Sequence, residues 1–414
     1  MTDRPAPLIH PARSTDHGDP RPDTTTERST TMHLHDERAA PSGLDPERRL
    51  LLGLSRVRLD ETDVDAALRL IRGGSVRWGV FLERAAQHKV LPLVGRHLLE
   101  HHLARGDTAD GMQAVPSAWI YPAVLAGNRE RNRALAGEAE AVTRALERRG
   151  VAHALQKGLA VAESLYGDIG ARRVTDVDLL VARGDADATD AALRELGYVR
   201  GTIAWEGDRL VPSPDPAGAA GTLPYLRPGP RPDLPVLRID LAHSVFADEP
   251  DEEARTREVL GRSRPSVVDG RPLSRLDPAD ELLDLCVHLH AEATRPPFAA
   301  PGVAMHIGKF VDVTASAGAL DGAGWDDVLE RTAETRRRRI VHHALHFADA
   351  FHPGSVPPHV LDATRPADTS SLDVYRTADR ADATWSIPFP ERLFAAAPVA
   401  QATAGRPASV GVGA

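Results

Sequence analysis

The 414-residue chain has one cysteine, Cys286, only three lysines (Lys89, Lys157 and Lys309) among 50 basic residues, and aromatics at just 4%. A single cysteine excludes an intramolecular disulfide and leaves a Cys-based zinc site without its usual partners. No window approaches the roughly 18 apolar residues that a bilayer span needs. The first residues carry Pro, Asp and Thr where a signal peptide has an apolar core. These absences predict a soluble, unsecreted protein in the reducing cytoplasm, with no membrane partner. Scarce aromatics mean cores of Leu, Val and Ala, and 42% hydrophobic residues suffice for ordinary globular domains. Fifty basic against 59 acidic residues give a formal charge of -9. That balance argues against coating a long nucleic acid, whose affinity comes from basic patches on phosphates, but leaves a nucleotide substrate open.

At roughly 150 residues per domain the length predicts two or three units. Residues 1–44 mix Pro, Arg, Asp, Thr and His without an apolar period and are expected as a disordered tail, with Met32 inside it as a second candidate start. Residues 45–125 carry apolar residues at helical spacing, among them Leu50, Leu51, Leu54, Leu68 and Ile71, and are expected as an N-terminal helical region. A long amphipathic helix is predicted over 117–148, with Gly150 as its stop. Over 126–265 the period changes. Strands are predicted over 151–155, 174–181 and 236–242, helices over 159–166 and 186–196, and a loop or hairpin where Pro and Gly crowd 211–235. Helical spacing returns over 266–360, and 361–414 reads as a low-complexity tail. The expected fold class is α+β, a mixed α/β core flanked by N-terminal and C-terminal helical regions.

The chemistry concentrates in the core. In a strand alternate side chains share a face, so Asp176 and Asp178 project together. Carboxylates held side by side repel unless a cation joins them, and hard divalent ions prefer oxygen ligands, magnesium being the natural candidate. A third acid, Asp240, sits in the apolar strand LRIDLAH. Lys157 and Gly158 fall at a strand-to-helix junction, where the backbone can approach phosphate. The plain alternatives are a polar strand start for the acid pair and solvated charges for Lys157, Arg172 and Arg173.

Residues 154–181, ALQKGLAVAESLYGDIGARRVTDVDLLV, resemble the motif region of an uncharacterised nucleotidyltransferase family within the DNA polymerase β-like superfamily. The resemblance is carried by Lys157-Gly158, Leu165-Tyr166, Arg172, Asp176 and Asp178 with the run Leu179 to Val181, then LGY at 196–198 and IDLAH around Asp240. It extends more loosely to WGVFLERAAQHKVLPLV at 78–94 and to the helical stretch 280–350, covering most of 46–355. It departs from the wider superfamily in having Lys157-Gly158 in place of Gly-Ser and a longer segment before Asp176. His243 stands beyond Leu241 and Ala242 and reads as a strand-end histidine.

The resemblance implies a nucleotidyltransferase-like core and a magnesium-dependent transfer of a nucleoside monophosphate from a nucleoside triphosphate such as ATP to an acceptor hydroxyl, releasing pyrophosphate. Asp176 and Asp178 would bridge two Mg²⁺ ions. Asp240 would complete the metal site and orient the hydroxyl or accept its proton. Lys157, Gly158 and Arg172 would meet the nucleotide phosphates. The acceptor stays open among small molecules, peptides and transfer RNA. The alternative is a non-catalytic nucleotide-binding or partner-binding protein that retains the fold, prompted by the altered segment between Gly158 and Asp176.

Other features compete. His342 and His346 lie one helical turn apart, a zinc-compatible spacing, but the sequence lacks the second-position glutamate of H-E-x-x-H, and with His288, His290 and His343 they read better as a helix surface or core boundary. Arg336 to Arg339 form a basic run that suits a nucleic acid, a phosphorylated acceptor or simply a solvated helix start. Lys309 and Asp312 could pair on one helix or face a cleft. Trp205 and Tyr225 flank the Pro- and Gly-rich stretch, where a loop could cover the acceptor.

Overall fold

The computed structural model describes residues 43–106, 113–214, 223–246, 251–294, 305–376 and 381–395. Most of the expected N-terminal tail, the end of the expected C-terminal tail and residues 215–222 of the Pro- and Gly-rich stretch lie outside the described residues. Among the described residues no helix is long and apolar enough to cross a membrane.

Four short helices open the fold: α1 (Pro46–Leu54), α2 (Glu61–Arg72), α3 (Trp78–Gln87) and α4 (Leu91–Glu100). The first two start on aspartate caps. Asp45 accepts from the Arg48 N–H at 2.8 Å, and Asp60 and Asp63 form a reciprocal capping box. Leu50, Leu51, Leu54, Ile71, Phe81, Leu93 and Leu98 are buried, the faces that the helical spacing marks. The long helix α5 (Ile120–Glu147) follows, and Gly150 stands just past its end at φ +69°, the left-handed stop that glycine adopts without strain.

The core then runs β1 (His153–Gln156), α6 (Lys157–Ala162), β2 (Val177–Val181), α7 (Ala186–Glu195), β3 (Val199–Glu206), β4 (Arg209–Pro214), β5 (Tyr225–Arg231), β6 (Leu234–Ala242), α8 (Glu252–Arg262), β7 (Arg264–Val268) and β8 (Arg271–Arg275). The strands form one eight-stranded sheet in the order β4-β3-β5-β6-β2-β1-β8-β7. Strand β2 is central and buried along its whole length, which its apolar run Leu179 to Val181 requires. It pairs antiparallel with β1 and parallel with β6.

The C-terminal helices are α9 (Pro278–Thr294), α10 (Ile307–Ala317), α11 (Gly322–Thr335), α12 (Arg338–Phe351) and α13 (Pro358–Thr364), followed by the two-stranded hairpin β9 (Val374–Arg376) and β10 (Asp382–Thr384). The chain is thus a mixed α/β fold. Two stretches differ from expectation. The sheet continues past 265 through β7 and β8. Residues 381–395 of the expected tail also contribute to the core, through a 3-10 turn at Glu391–Phe394 that buries Leu393 and through Phe389, whose ring lies 5.6 Å from Phe310 and 5.1 Å from Phe347. Their few apolar side chains have no regular period because they seal a surface built by other elements.

Candidate active site

Strand register assembles the acids. On β2, Asp178 stands opposite Gln156 of β1 and opposite Asp240 of β6. Asp176 precedes β2 by one residue. Asp176, Asp178 and Asp240 each present a ligand atom, and these atoms all lie within 4.8 Å of one another. Two of the three already have cationic partners. Lys157 donates from Nζ to Asp178 Oδ1 at 2.9 Å, and Arg238 donates from Nε and Nη2 to the two Asp240 oxygens, each at 2.8 Å. Asp176 accepts from the Thr175 hydroxyl at 3.0 Å.

Lys157 and Gly158 turn the chain from β1 into α6 with positive φ at both, +40° and +31°. Glycine tolerates that backbone and lysine does so at a cost. Burial pulls the Lys157 ammonium toward neutrality, but the charges of Asp178 and Asp284 outweigh it and hold its pKa above the usual range. Burial raises the Asp178 pKa, and Asp176 and Asp240 add to the rise against Lys157. Lys157 therefore offsets only part of the cost of holding Asp178 ionised.

The opposite wall comes from the flanking helices. The cleft, about 380 Å³, is lined by the acid triad together with Lys89, Arg172, His288 and Lys309. All three lysines of the chain line this one cavity. Lys309 on α10 donates to His288 Nε2 on α9 at 2.6 Å. Burial drives the His288 pKa well below its usual value, so the ring is a neutral acceptor, and burial also lowers that of Lys309. Arg172 is clamped by Asp312 of α10, Nε to Oδ1 at 2.8 Å and Nη2 to Oδ2 at 2.6 Å, and the Tyr166 hydroxyl donates to the same Oδ1 at 2.7 Å. From α5, the Asn128 and Asn132 side-chain amides both donate to the Arg172 carbonyl, at 2.9 and 2.8 Å, and also to Gly170 and Ile169. The loop that delivers the acids is thereby pinned to the long helix.

All six residues singled out from the sequence, Lys157, Gly158, Arg172, Asp176, Asp178 and Asp240, line this cleft. Of the pair left open on α10, Asp312 bonds Arg172 rather than Lys309, and both face the cleft. His243 lies outside it, bonding the Val181 carbonyl at 3.1 Å. His342 bonds Thr364 at 3.2 Å, and neither it nor His346 belongs to a metal-competent cluster among the described residues. Sequence reasoning missed Lys89 and Arg238, read His288 as a helix-surface or core-boundary histidine, and left open whether Lys309 faces a cleft. Two signals were available: the rarity of lysine, and the two-residue spacing of Arg238 from Asp240 on one strand face.

A family model described as uncharacterised nucleotidyltransferase matches residues 74–353. No curated protein matches the chain. Among solved structures, the solution structure of the antibiotic-resistance factor ANT(2'')-Ia is similar at 16% identity, covering 50% of this chain and 94% of that one with a TM-score of 0.28. A crystal structure of the same factor with adenylyl-2''-tobramycin gives 18% identity, 48% and 94% coverage and a TM-score of 0.28. An antigenic nucleotidyltransferase-like protein from Paracoccidioides brasiliensis gives 14% identity, 56% and 93% coverage and a TM-score of 0.32. The family match takes in every residue that lines the cleft, from Lys89 to Asp312: the chain belongs to this nucleotidyltransferase family.

Proposed function

We propose that the cleft transfers a nucleoside monophosphate from a nucleoside triphosphate to an acceptor hydroxyl with Mg²⁺ as cofactor. The observation that carries this reading is an acid triad within 4.8 Å that shares one cavity with the chain's three lysines. The donor set fits the ion: three carboxylates are hard oxygen ligands, and their ligand atoms lie within 4.8 Å of one another. Asp176 and Asp178 would hold two Mg²⁺ ions, and Asp240 would complete the set. When bound, the ions supply charge neutralisation at the phosphates and acidify the attacking hydroxyl.

The remaining work falls to side chains. Lys157, once released from Asp178, binds triphosphate oxygens together with Lys89 and Lys309, and Gly158, which lines the cleft without a side chain, lets the phosphates approach. Arg172, fixed by Asp312, adds a rigid positive charge to the wall. The acceptor oxygen forms a bond to the α-phosphorus, and the bond to the bridging oxygen breaks, its electron pair leaving with pyrophosphate. Asp240 orients the hydroxyl and takes its proton, while Arg238 keeps that carboxylate in place. The lysine wall stabilises the charge that builds on the leaving group. The acceptor is a small molecule, a peptide or a transfer RNA, and the net charge of -9 disfavours a long nucleic acid.

The test follows label from an α-³²P nucleoside triphosphate, with pyrophosphate release read in parallel, against a panel of acceptors. Transfer by the wild type that disappears in Asp176→Asn, Asp178→Asn, while the variant stays folded at the assay temperature, is the expected result. Full transfer by that variant would sink the metal assignment, and nucleotide binding without pyrophosphate from any acceptor would restore the non-catalytic alternative.

A further inference from the structure

A second cavity, of about 400 Å³, lies on the other side of α9 from the acid cleft. His290 and Thr294 of α9 line it, whereas His288, Ala291 and Glu292 of the same helix line the cleft. Its remaining wall is the arginine run at the start of α12, with His343 one helical turn further on and the β9–β10 hairpin opposite. Arg336, Arg337, Arg339 and Arg376 line it, and among the described residues Asp382 is its one acidic residue. Asp382 is engaged by Arg376 at 3.5 Å. Arg336 and Arg339 have no carboxylate within ion-pair distance among the described residues. Arg336 and Arg339, at one cavity without an ion-pair partner among the described residues, repel each other, and an anion is what relieves that repulsion.

Two further observations point to a ligand. Helix α12 is 14 residues long and begins with no side-chain cap, so its first-turn N–H groups and its positive dipole end face the same region as the arginines. His343, only 5% exposed, lines the cavity, and its Nδ1 has no hydrogen-bond partner. A buried polar atom of that kind costs stability unless a ligand or solvent completes it. Tyr375 offers an aromatic face on the wall opposite the arginines.

We propose that this cavity is a binding site for a ligand carrying at least two phosphate groups, separate from the acid cleft. Arg336 and Arg339 grip the phosphates in charge-assisted hydrogen bonds, the first turn of α12 donates from its backbone, and the His343 imidazole completes the set. The site needs no divalent ion, because its charge comes from guanidinium groups. Free pyrophosphate and the diphosphate end of a nucleotide share this chemistry.

The experiment is calorimetric titration of the full chain in EDTA with inorganic pyrophosphate, and in parallel with ADP. Arg336 and Arg339 are exposed, so Arg336→Gln and Arg339→Gln leave the fold intact, and each is expected to weaken pyrophosphate about tenfold. Arg338→Gln is the control. It removes the same charge from the same run, but Arg338 does not line the cavity, so affinity is expected to hold. Lys309→Met alters only the cleft and is expected to keep this binding as well. Equal losses in Arg338→Gln and Arg339→Gln would reduce the effect to general electrostatics and overturn the proposal. So would binding abolished by Lys309→Met but untouched by the two cavity variants, or no binding to the wild type. Equal affinities for pyrophosphate and ADP assign recognition to the phosphates alone. Tighter ADP assigns the base a place in the cavity.

Discussion

On the proposed reading Lys157 holds the place of a metal ion beside Asp178, with 19% and 11% of the two side chains exposed. Breaking such a pair by removing one partner costs about 3 kcal/mol, because the other charge is left buried and uncompensated. Lys157→Met is therefore expected to lower the melting temperature in EDTA, with Mg²⁺ restoring most of the loss as a divalent ion replaces the ammonium. A loss that Mg²⁺ does not touch would separate Lys157 from the metal site. Glu281 gives a prediction of opposite sign. Burial, reinforced by Asp284 and Asp312 and opposed by Arg275, raises its pKa from 4.5 to about 7. Between those values the folded chain holds a proton that the unfolded chain has lost, so stability falls as pH rises from 4.5 through 7 and then levels off, by about 3 kcal/mol in all. In Glu281→Gln that decline should vanish, and the melting-temperature gap over the wild type should open across the same window. At this scale the acid triad was legible because strand periodicity and an apolar run announce it. Lys89 was not, because nothing local ties a single lysine in a turn between helices to a cleft whose other wall lies elsewhere in the chain, and for Lys309 the sequence left pairing with Asp312 and facing a cleft both open.

The acids are only as well placed as the loop that carries them, and α5 is what holds that loop. The Asn128 and Asn132 amides satisfy the carbonyls of Ile169, Gly170 and Arg172, and both asparagines are buried. Asn132→Ala leaves the Ile169 carbonyl without that donor and the Arg172 carbonyl with one fewer. It is expected to cost about 2 kcal/mol in denaturant melts and to depress transfer more than that loss explains, since Arg172 is set by the same loop. Unchanged activity per folded molecule would show that the loop keeps its shape without α5. Helix α5, strand β2 and strand β6 could be read in advance, because each combines a clear apolar period with a stop signal. Strands β5, β7 and β8 could not. YLRPGPR in β5 carries two prolines and a glycine, and it is tolerated as a strand only with a register shift between Pro228 and Arg231. The β7–β8 hairpin is polar and lies at the sheet edge, and its turn at Asp269 and Gly270, both at positive φ, was the one available sign.

Across the whole molecule the cleft is a joint between regions that fold for different reasons. The sheet contributes Asp178, Asp240 and Arg238 through strand register. The N-terminal helices contribute Lys89, held at φ +62° just past α3. The C-terminal helices contribute His288, Lys309 and Asp312. Lys309 shows what that joint costs. It is half-buried in contact with a neutral imidazole, and desolvation and the nearby Arg172 and Lys89 disfavour its charged form, while Glu292 and Asp312 only partly offset them. A charge kept where the fold resists it has its use in binding something more negative than the fold supplies, which is the condition that a triphosphate meets. Lys309→Met replaces the ammonium with an apolar chain of similar length. The protein should melt at the same temperature or higher, because the desolvation cost is gone and only the bond to His288, worth about 1 kcal/mol, is lost. Nucleoside triphosphate affinity, titrated with Mg²⁺ present, should fall about tenfold or more, since a charge-assisted contact is worth at least 1.4 kcal/mol. A variant that melts several degrees lower and binds nucleotide as before would make Lys309 a structural residue. A variant that melts higher and binds worse would show stability given up for function at the place where the three regions meet.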